Sequence, residues 1–188
     1  MTNFVIVYDA CILYPLSLRT LFVELAMTGL FQAKWTSDIH KEWTHSLKKN
    51  YPKCNEERLE NLKIQINNAV PNSLVSGYES LISTLSLPDK NDRHVLAAAI
   101  KCGAQAIVTN NLKDFPEKSL NSYDIEALDA DTFFCLQLGL SQGKVLSAVK
   151  KSRNWLSPSP SSEEYLQRLM RQGLIKTVAI LRDCQELI

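Results

Sequence analysis

The sequence contains no run approaching the ~18 consecutive apolar residues that a membrane-crossing helix requires, so no membrane span is expected. The opening Met1-Thr2-Asn3-Phe4 has no basic stretch and the chain meets an acid at Asp9, which argues against a signal peptide. Its five cysteines (Cys11, Cys54, Cys102, Cys135, Cys184) are scattered, odd in number and never arranged as C-x-x-C. That pattern suits free thiols in a reducing compartment, and a soluble cytoplasmic protein is the expectation. The three histidines, His40, His45 and His94, form no H-E-x-x-H pair and no Cys/His cluster, so zinc sites of those kinds are excluded. A P-loop, a G-x-G-x-x-G turn and a G-x-S-x-G elbow are all missing, which removes the commonest nucleotide-binding and serine-hydrolase readings. Internal repeats and low-complexity tracts are absent as well.

What remains is an ordinary globular composition. The chain has 188 residues, 45% hydrophobic and 22% charged, enough for one domain with a small appendage and a core that needs no disulfide. Net charge is +1, unevenly spread: residues 141–188 hold eight basic and four acidic side chains, residues 1–140 hold 13 and 16. A mildly acidic body with a basic tail is compatible with a metal-binding site beside a nucleic-acid-facing surface.

Phe4 to Tyr8 is a short apolar run rich in β-branched and aromatic residues, the signature of a buried parallel strand. A helix is expected over Leu16–Leu30 after Pro15, ending near Gly29. Phe31–Trp35 is ambiguous. Thr36, Ser37 and Asp38 offer caps for a helix to about Lys48, and Glu56–Ala69 forms another. Val70–Val75 has the makings of a short strand and Tyr78–Leu85 of a short helix. A turn-rich loop through Asp89 leads into a helix over Arg93–Cys102 closed by Gly103, followed by a strand at Ala106–Thr109, a polar loop to Pro116, a strand near Asp124–Leu128 and a helix at Asp131–Leu140. Strands alternating with helices imply an α/β fold with a parallel sheet, whose ligands bind beyond the carboxyl ends of the strands. Trp155–Ser162 reads as a Pro/Ser linker; Ser161 or Ser162 then caps a helix, and Leu174–Leu187 forms a last one. The expected division is 1–139 for the α/β domain and 140–188 for an all-helical extension.

Three acids stand at ends of expected elements: Asp9 after the first strand, Asp92 at a helix start, Asp114 in the loop after Ile107-Val108. Taken singly, Asp92 reads as a helix cap and Asp114 as a turn residue; Asp9, ending an apolar strand, points to a crevice. Taken together, loops at the ends of one parallel sheet meet in space, and carboxylates brought together repel unless a cation neutralises them. Oxygen donors of this kind select Mg²⁺ or Mn²⁺. By itself, His94 reads as a packing or surface residue and Cys11 as a small core residue. Lys48-Lys49 and Lys150-Lys151 read as solvated charge.

These residues resemble the PIN domain family. The run VIVYDACILYP (Val5–Pro15) is similar to the family's first strand and D-x-x-V-L motif. LPDKNDRHVLAAAI (Leu87–Ile100) resembles its LPDxxDRHVLAAAI helix, and AIVTNNLKDFP (Ala106–Pro116) its IVTxNLKDFP segment. The resemblance covers roughly residues 3–130 and implies a Rossmann-like PIN fold with an acidic quartet that binds one or two Mg²⁺ or Mn²⁺ ions and hydrolyses RNA to 5′-phosphate and 3′-hydroxyl ends. Asp9, Asp92 and Asp114 match the first, third and fourth acids. Glu42 in Ile39–Trp43 matches the second, with Asp38 one turn earlier as the competitor. Thr109 and Asn111 match polar positions that line the site, although many relatives have an acid where Asn111 stands; Asp89 and Arg93 are outer candidates. Residues 140–188 resemble a helical extension of VapC-type PIN toxins, which implies a ribonuclease toxin, an antitoxin protein partner that covers the site and, by analogy, a homodimer. Two alternatives stay open. One is an inactive PIN domain serving as a binding module, suggested by Asn111. The other is a phosphatase-type metal hydrolase, whose D-x-D pair is incomplete here because Cys11 follows Asp9-Ala10.

Overall fold

A computed structural model describes residues 4–188; Met1–Asn3, on which part of the signal-peptide reading rests, lie outside the described residues. The chain runs β1 (Val5–Tyr8), α1 (Ala10–Leu13), α2 (Leu16–Ala26), β2 (Gln32–Thr36), α3 (Ser37–Asn50), α4 (Glu56–Ala69), β3 (Leu74–Val75), α5 (Glu79–Ile82), α6 (Arg93–Cys102), β4 (Ala106–Val108), α7 (Glu117–Leu120), β5 (Glu126–Leu128), α8 (Ala130–Leu140), α9 (Gln142–Asn154), α10 (Ser162–Arg171) and α11 (Ile175–Arg182). Single 3-10 turns precede α6 at Lys90–Asp92 and follow β4 at Leu112–Asp114.

Five parallel strands form one sheet in the order β3-β2-β1-β4-β5. Val7 pairs with Ile107 across the β1–β4 contact and Ile6 with Ala33 across β1–β2. After β1 the chain builds outward through β2 and β3, then returns to place β4 on the other side of β1. That reversal opens a crevice at the carboxyl ends of β1 and β4, the usual ligand position in such sheets. Helices cover both faces, so the central strands are buried on both sides: Ile6, Val7, Tyr8, Ala106, Ile107 and Val108 have no exposed surface. An aromatic cluster of Tyr8, Phe22, Phe31 and Phe133 fills one face, with Phe31 and Phe133 edge-to-face at 5.0 Å, a geometry favoured by the ring quadrupoles.

The expected α/β architecture and helical C-terminal part are present, with local corrections. The helix expected over Leu16–Leu30 stops at Ala26, because Met27 and Thr28 turn into Gly29 with φ of +71°. A short α1 precedes it, ended by the bend at Pro15, whose missing N–H and fixed φ suit a helix boundary. The ambiguous Phe31–Trp35 stretch becomes β2: Ala33 and Trp35 face inward while Gln32 is exposed and Lys34 half-buried, alternation that suits a half-covered strand. The last helix ends at Arg182, short of Leu187.

The extension is bolted to the sheet domain. The buried Asp131 of α8 accepts hydrogen bonds from the backbone N–H groups of Lys176 and Thr177, each at 2.8 Å, and so caps α11 from a distant part of the chain. Trp155 Nε1 donates to Glu24 of α2 at 2.7 Å, and the hydroxyls of Ser152 and Tyr165 bond at 2.6 Å. Ser161 is the cap of α10, in a reciprocal box with Glu164. Replacing Asp131 by Ala leaves the buried Thr177 amide and the partly buried Lys176 amide unpaired, and the expected loss is about 2 kcal/mol. Urea unfolding checks this; a loss under about 0.5 kcal/mol contradicts the clamp.

Candidate active site

Asp9 stands where β1 ends, its amide donating to Val108 O of β4 at 3.0 Å. Only 4% of its surface is exposed. Every side-chain partner it has among the described residues is neutral. Its Oδ2 accepts from the Thr109 hydroxyl at 2.6 Å and the Cys11 thiol at 3.1 Å, and its Oδ1 accepts from the Ala10 amide at 2.6 Å. These donors fix the carboxylate's direction without cancelling its charge.

Asp92 lies at the junction of the 3-10 turn and α6, yet its side chain makes no capping bond. The cap reading is therefore corrected: Asp89 bonds the Asn91 amide at 2.8 Å and shapes the turn, leaving the Asp92 carboxyl facing the cleft. Burial, then the charges of Asp9, Asp89, Asp114 and Glu42, push its pKa up to about 6.

Helix α3 supplies the fourth side chain. Its inward face is locked by a buried chain of hydrogen bonds, Trp43 Nε1 to His40 Nδ1 at 2.9 Å and His40 Nε2 to Asn67 Oδ1 at 2.9 Å. Glu42 then points to the cleft, where its Oε1 accepts from His94 Nε2 at 2.8 Å. Asp38 is otherwise engaged: it accepts from Lys41 at 2.8 Å and from the Tyr78 hydroxyl at 2.7 Å, and these bonds lower its pKa.

Asp9, Glu42, Asp92 and Asn111 line one open cleft of about 540 Å³, with Cys11, Tyr14, His45 and Asn50. Asp114, in the turn after β4, is not on that wall but is near enough for its charge to act on Asp92. Thr109 is fully buried behind Asp9. Arg93 Nε is buried without a partner, and Asp89 is exposed at the rim. Two residues read from sequence as bystanders belong here. His94 is buried and tethers Glu42 from α6; burial opposes its protonation, but the bond and charge of Glu42, with Asp38 and Asp9 beyond, raise its pKa above the ordinary value. Cys11 accepts from the Asn110 amide at 3.2 Å while donating to Asp9, and burial followed by the Asp9 charge pushes its thiol up to about 12, so it is a neutral donor rather than a nucleophile. The i+2 spacing of Cys11 from Asp9 and the helical phase of His94 were the available signals for both.

The donor set is hard oxygen, and its charges add to burial in raising the proton affinity of Asp92. Among the described residues no three His, Cys, Asp or Glu side chains converge closely enough to enclose an ion; Asp9, Glu42 and Asp92 stand apart along the cleft wall. By donor chemistry they fit a divalent cation of the Mg²⁺ or Mn²⁺ type.

The Asp92 shift fixes a pH dependence. Its folded-state pKa is raised from 3.8 to about 6, so its contribution favours the fold fully below about pH 4 and is lost as pH rises through 6. In EDTA, Asp92→Asn is expected to exceed the wild type in stability by about 1 kcal/mol at pH 7.5, after discounting for solvent screening of a half-exposed group. The gap closes towards pH 4.5. Thermal unfolding across that range checks it, and a gap that widens on acidification contradicts it.

Comparison with known proteins matches two family models to the chain, one described as PIN domain over residues 2–113 and one as VapC50 C-terminal domain over residues 130–183. A protein of Mycobacterium tuberculosis (strain ATCC 25618 / H37Rv) named "Putative ribonuclease VapC50" is 46% identical over 76 residues, 38% of this chain and 44% of that protein. The match thus spans less than half the length of that relative. No solved structure matches the chain. With one model covering residues 2–113 of 188, and with Asp9 and Asp92 meeting beyond the ends of β1 and β4, the chain belongs to the PIN domain family.

Proposed function

We propose that this protein is a divalent-metal-dependent endoribonuclease, with residues 1–139 as the nuclease domain and 140–188 as a helical extension. The observation that carries the reading is that Asp9, Glu42 and Asp92 line one cleft, where burial and then the charges of Asp9, Asp89, Asp114 and Glu42 lift the Asp92 pKa to about 6, beside an Asp9 that has only neutral donors. Asp9, Glu42, Asp92 and Asp114 would hold Mg²⁺ or Mn²⁺. An ion there offsets the charge of a scissile phosphate and acidifies water.

The chain's own residues set the geometry. Thr109, Cys11 and the Ala10 amide hold Asp9 in one orientation, so little reorganisation is needed when substrate arrives. His94 keeps Glu42 turned towards the cleft. Asn111, a neutral amide on the wall, can bond phosphate or sugar oxygens where an acid would repel them. The cleft is open, which suits an unpaired RNA strand whose bases are accessible. The likeness to a protein named as a VapC50 ribonuclease and to its C-terminal domain supports a toxin role, with a protein antitoxin as partner, a homodimer as the assembly and the cytoplasm as the setting.

Asn111 on the wall favours one competing reading, a PIN domain that binds RNA without cutting it. One experiment separates them. Wild-type protein with Mn²⁺ is expected to cleave single-stranded RNA to 5′-phosphate ends; Asp9→Asn, or excess EDTA, lowers the rate at least about 100-fold while the circular dichroism spectrum is unchanged. Cleavage that persists in both conditions sinks the metal scheme, and none by the wild type favours the binding module.

A further inference from the structure

The acid cleft continues into two further hollows. Tyr14 and Asn50 form one of its walls, joined by a 2.9 Å bond from Asn50 Nδ2 to the Tyr14 hydroxyl. Tyr14 also lines a larger cavity of about 1020 Å³ beside α2, α3 and α4, where Tyr51 and Arg58 stand. Leu16 is shared between that cavity and a smaller one of about 200 Å³, which Arg168 and Arg171 of α10 line. With Tyr14 and Leu16 as common walls, the three hollows adjoin in series, a segmented groove from the carboxylates to the C-terminal extension.

Charge changes sign along it. The first end is acidic. The middle hollow is lined by Arg19 and Arg58 with Glu57 as its one acid, and the far end has Arg168 and Arg171 with no acidic side chain in the lining. Of the nearby acids, Glu163 pairs with Arg182 at 3.5 Å, and Glu164 is held by the Ser161 box while also feeling the charge of Arg168, with no ion pair between the two. Helix α10 is itself fixed, with Tyr165, Leu166 and Leu169 fully buried, so both arginines keep their place relative to the cleft.

We infer that single-stranded RNA follows this groove, its bases against Tyr14 and the 63%-exposed Tyr51 and its phosphates against Arg58, Arg168 and Arg171, so that the extension holds substrate away from the cutting point. The inference rests on the ribonuclease reading for the class of its occupant. A polyanion is favoured over a polypeptide because it gains at both ends: from arginines at one, and from a cation-loaded acidic centre at the other. Basic side chains interleaved with aromatic platforms are how single strands are commonly tracked.

The test is fluorescence anisotropy with six- and twenty-nucleotide oligouridylates on full-length Asp9→Asn protein in EDTA, over a salt series. Adding R168E/R171E is expected to weaken the twenty-mer about tenfold, to cut its advantage over the six-mer by a similar factor, and to flatten the log–log salt slope by about 1.4, the value for two single-strand phosphate contacts. R168Q/R171Q gives the same direction with a smaller effect, which guards against misfolding by charge reversal. K150E/K151E on α9, with the same change in charge, is expected to shift neither by more than about twofold. An unchanged twenty-mer affinity, or an equal loss in the α9 control, overturns the inference. So does binding of a polyglutamate peptide that depends on Arg168 and Arg171 while RNA binding does not, which marks a protein dock. Failure of the ribonuclease reading is a separate result: no Mn²⁺-stimulated cleavage by the wild type, whatever the arginine variants do.

Discussion

Carboxylates held together without a basic neighbour repel one another, and the rest of this fold is arranged around keeping them together. The two central strands fix the positions. Asp9 directly follows β1 and Thr109 directly follows β4, and because Val7 pairs with Ile107 their exits are side by side. A one-residue slip would swap side chains between two close-packed layers that do not fit them, so the Asp9–Thr109 contact inherits the stiffness of the core. Asp92 ends the 3-10 turn that leads into α6, whose alanines at 97, 98 and 99 are fully buried and allow the helix to lie close to the sheet. Glu42 comes from α3 and is tied by His94 back to α6. Asp9 is held by neutral donors and Glu42 by a histidine that is charged only when protonated, which leaves much of the electrostatic cost of the acids to be offset by a divalent ion, as proposed.

The extension adds to this without touching the acids. Its attachment uses Asp131 as a cap for α11, Glu24 as the acceptor for Trp155, and the long contact of α9 along α2. Since α2 begins at Leu16, two residues past Tyr14, whatever steadies α2 also steadies the wall between the acid cleft and its neighbouring cavity. Buried Arg19 reinforces the same corner: its guanidinium donates to the carbonyls of Leu13 and Tyr14 and lies over the Trp43 ring at 5.0 Å. Burial holds its pKa down to about 10, which leaves it charged at neutral pH. α1, α2 and α3 are thereby pinned where the proposed RNA path turns.

Much of this was legible in the sequence where one local rule decided the outcome. The apolar run before Asp9, the αL glycine at Gly103 and the Ser161 cap each signal their element directly, and β1, α6 and α10 lie where those signals put them. β2 was ambiguous because Gln32 and Lys34 alternate with Ala33 and Trp35, a pattern too short to separate a strand from a loop. The length of α2 was overestimated because Met27, Thr28 and Leu30 continue a helical composition past the true end at Ala26. In the site, acids at the ends of buried strands were visible individually. Their partners were not: the His94–Glu42 bond joins residues 52 apart in sequence, and the Cys11 thiol accepts from the Asn110 amide, 99 residues away. Hydrogen bonds of that range follow from tertiary packing and leave no periodic trace. Asp92 is the instructive case, since capping is the ordinary fate of an Asp at a helix start and only the 3-10 turn shaped by Asp89 removes that duty.

The measurement that bears most directly on the central claim is the anomalous difference map of a crystal grown in Mn²⁺. The expected result is a peak in the cleft within about 2.0–2.6 Å of oxygens from Asp9 and Asp92, the range for hard divalent ions, with Asp114 or Glu42 drawn towards it. A map with no peak there, and with the Asp9 and Asp92 carboxylates neutralised by protein donors or turned apart, would contradict the account.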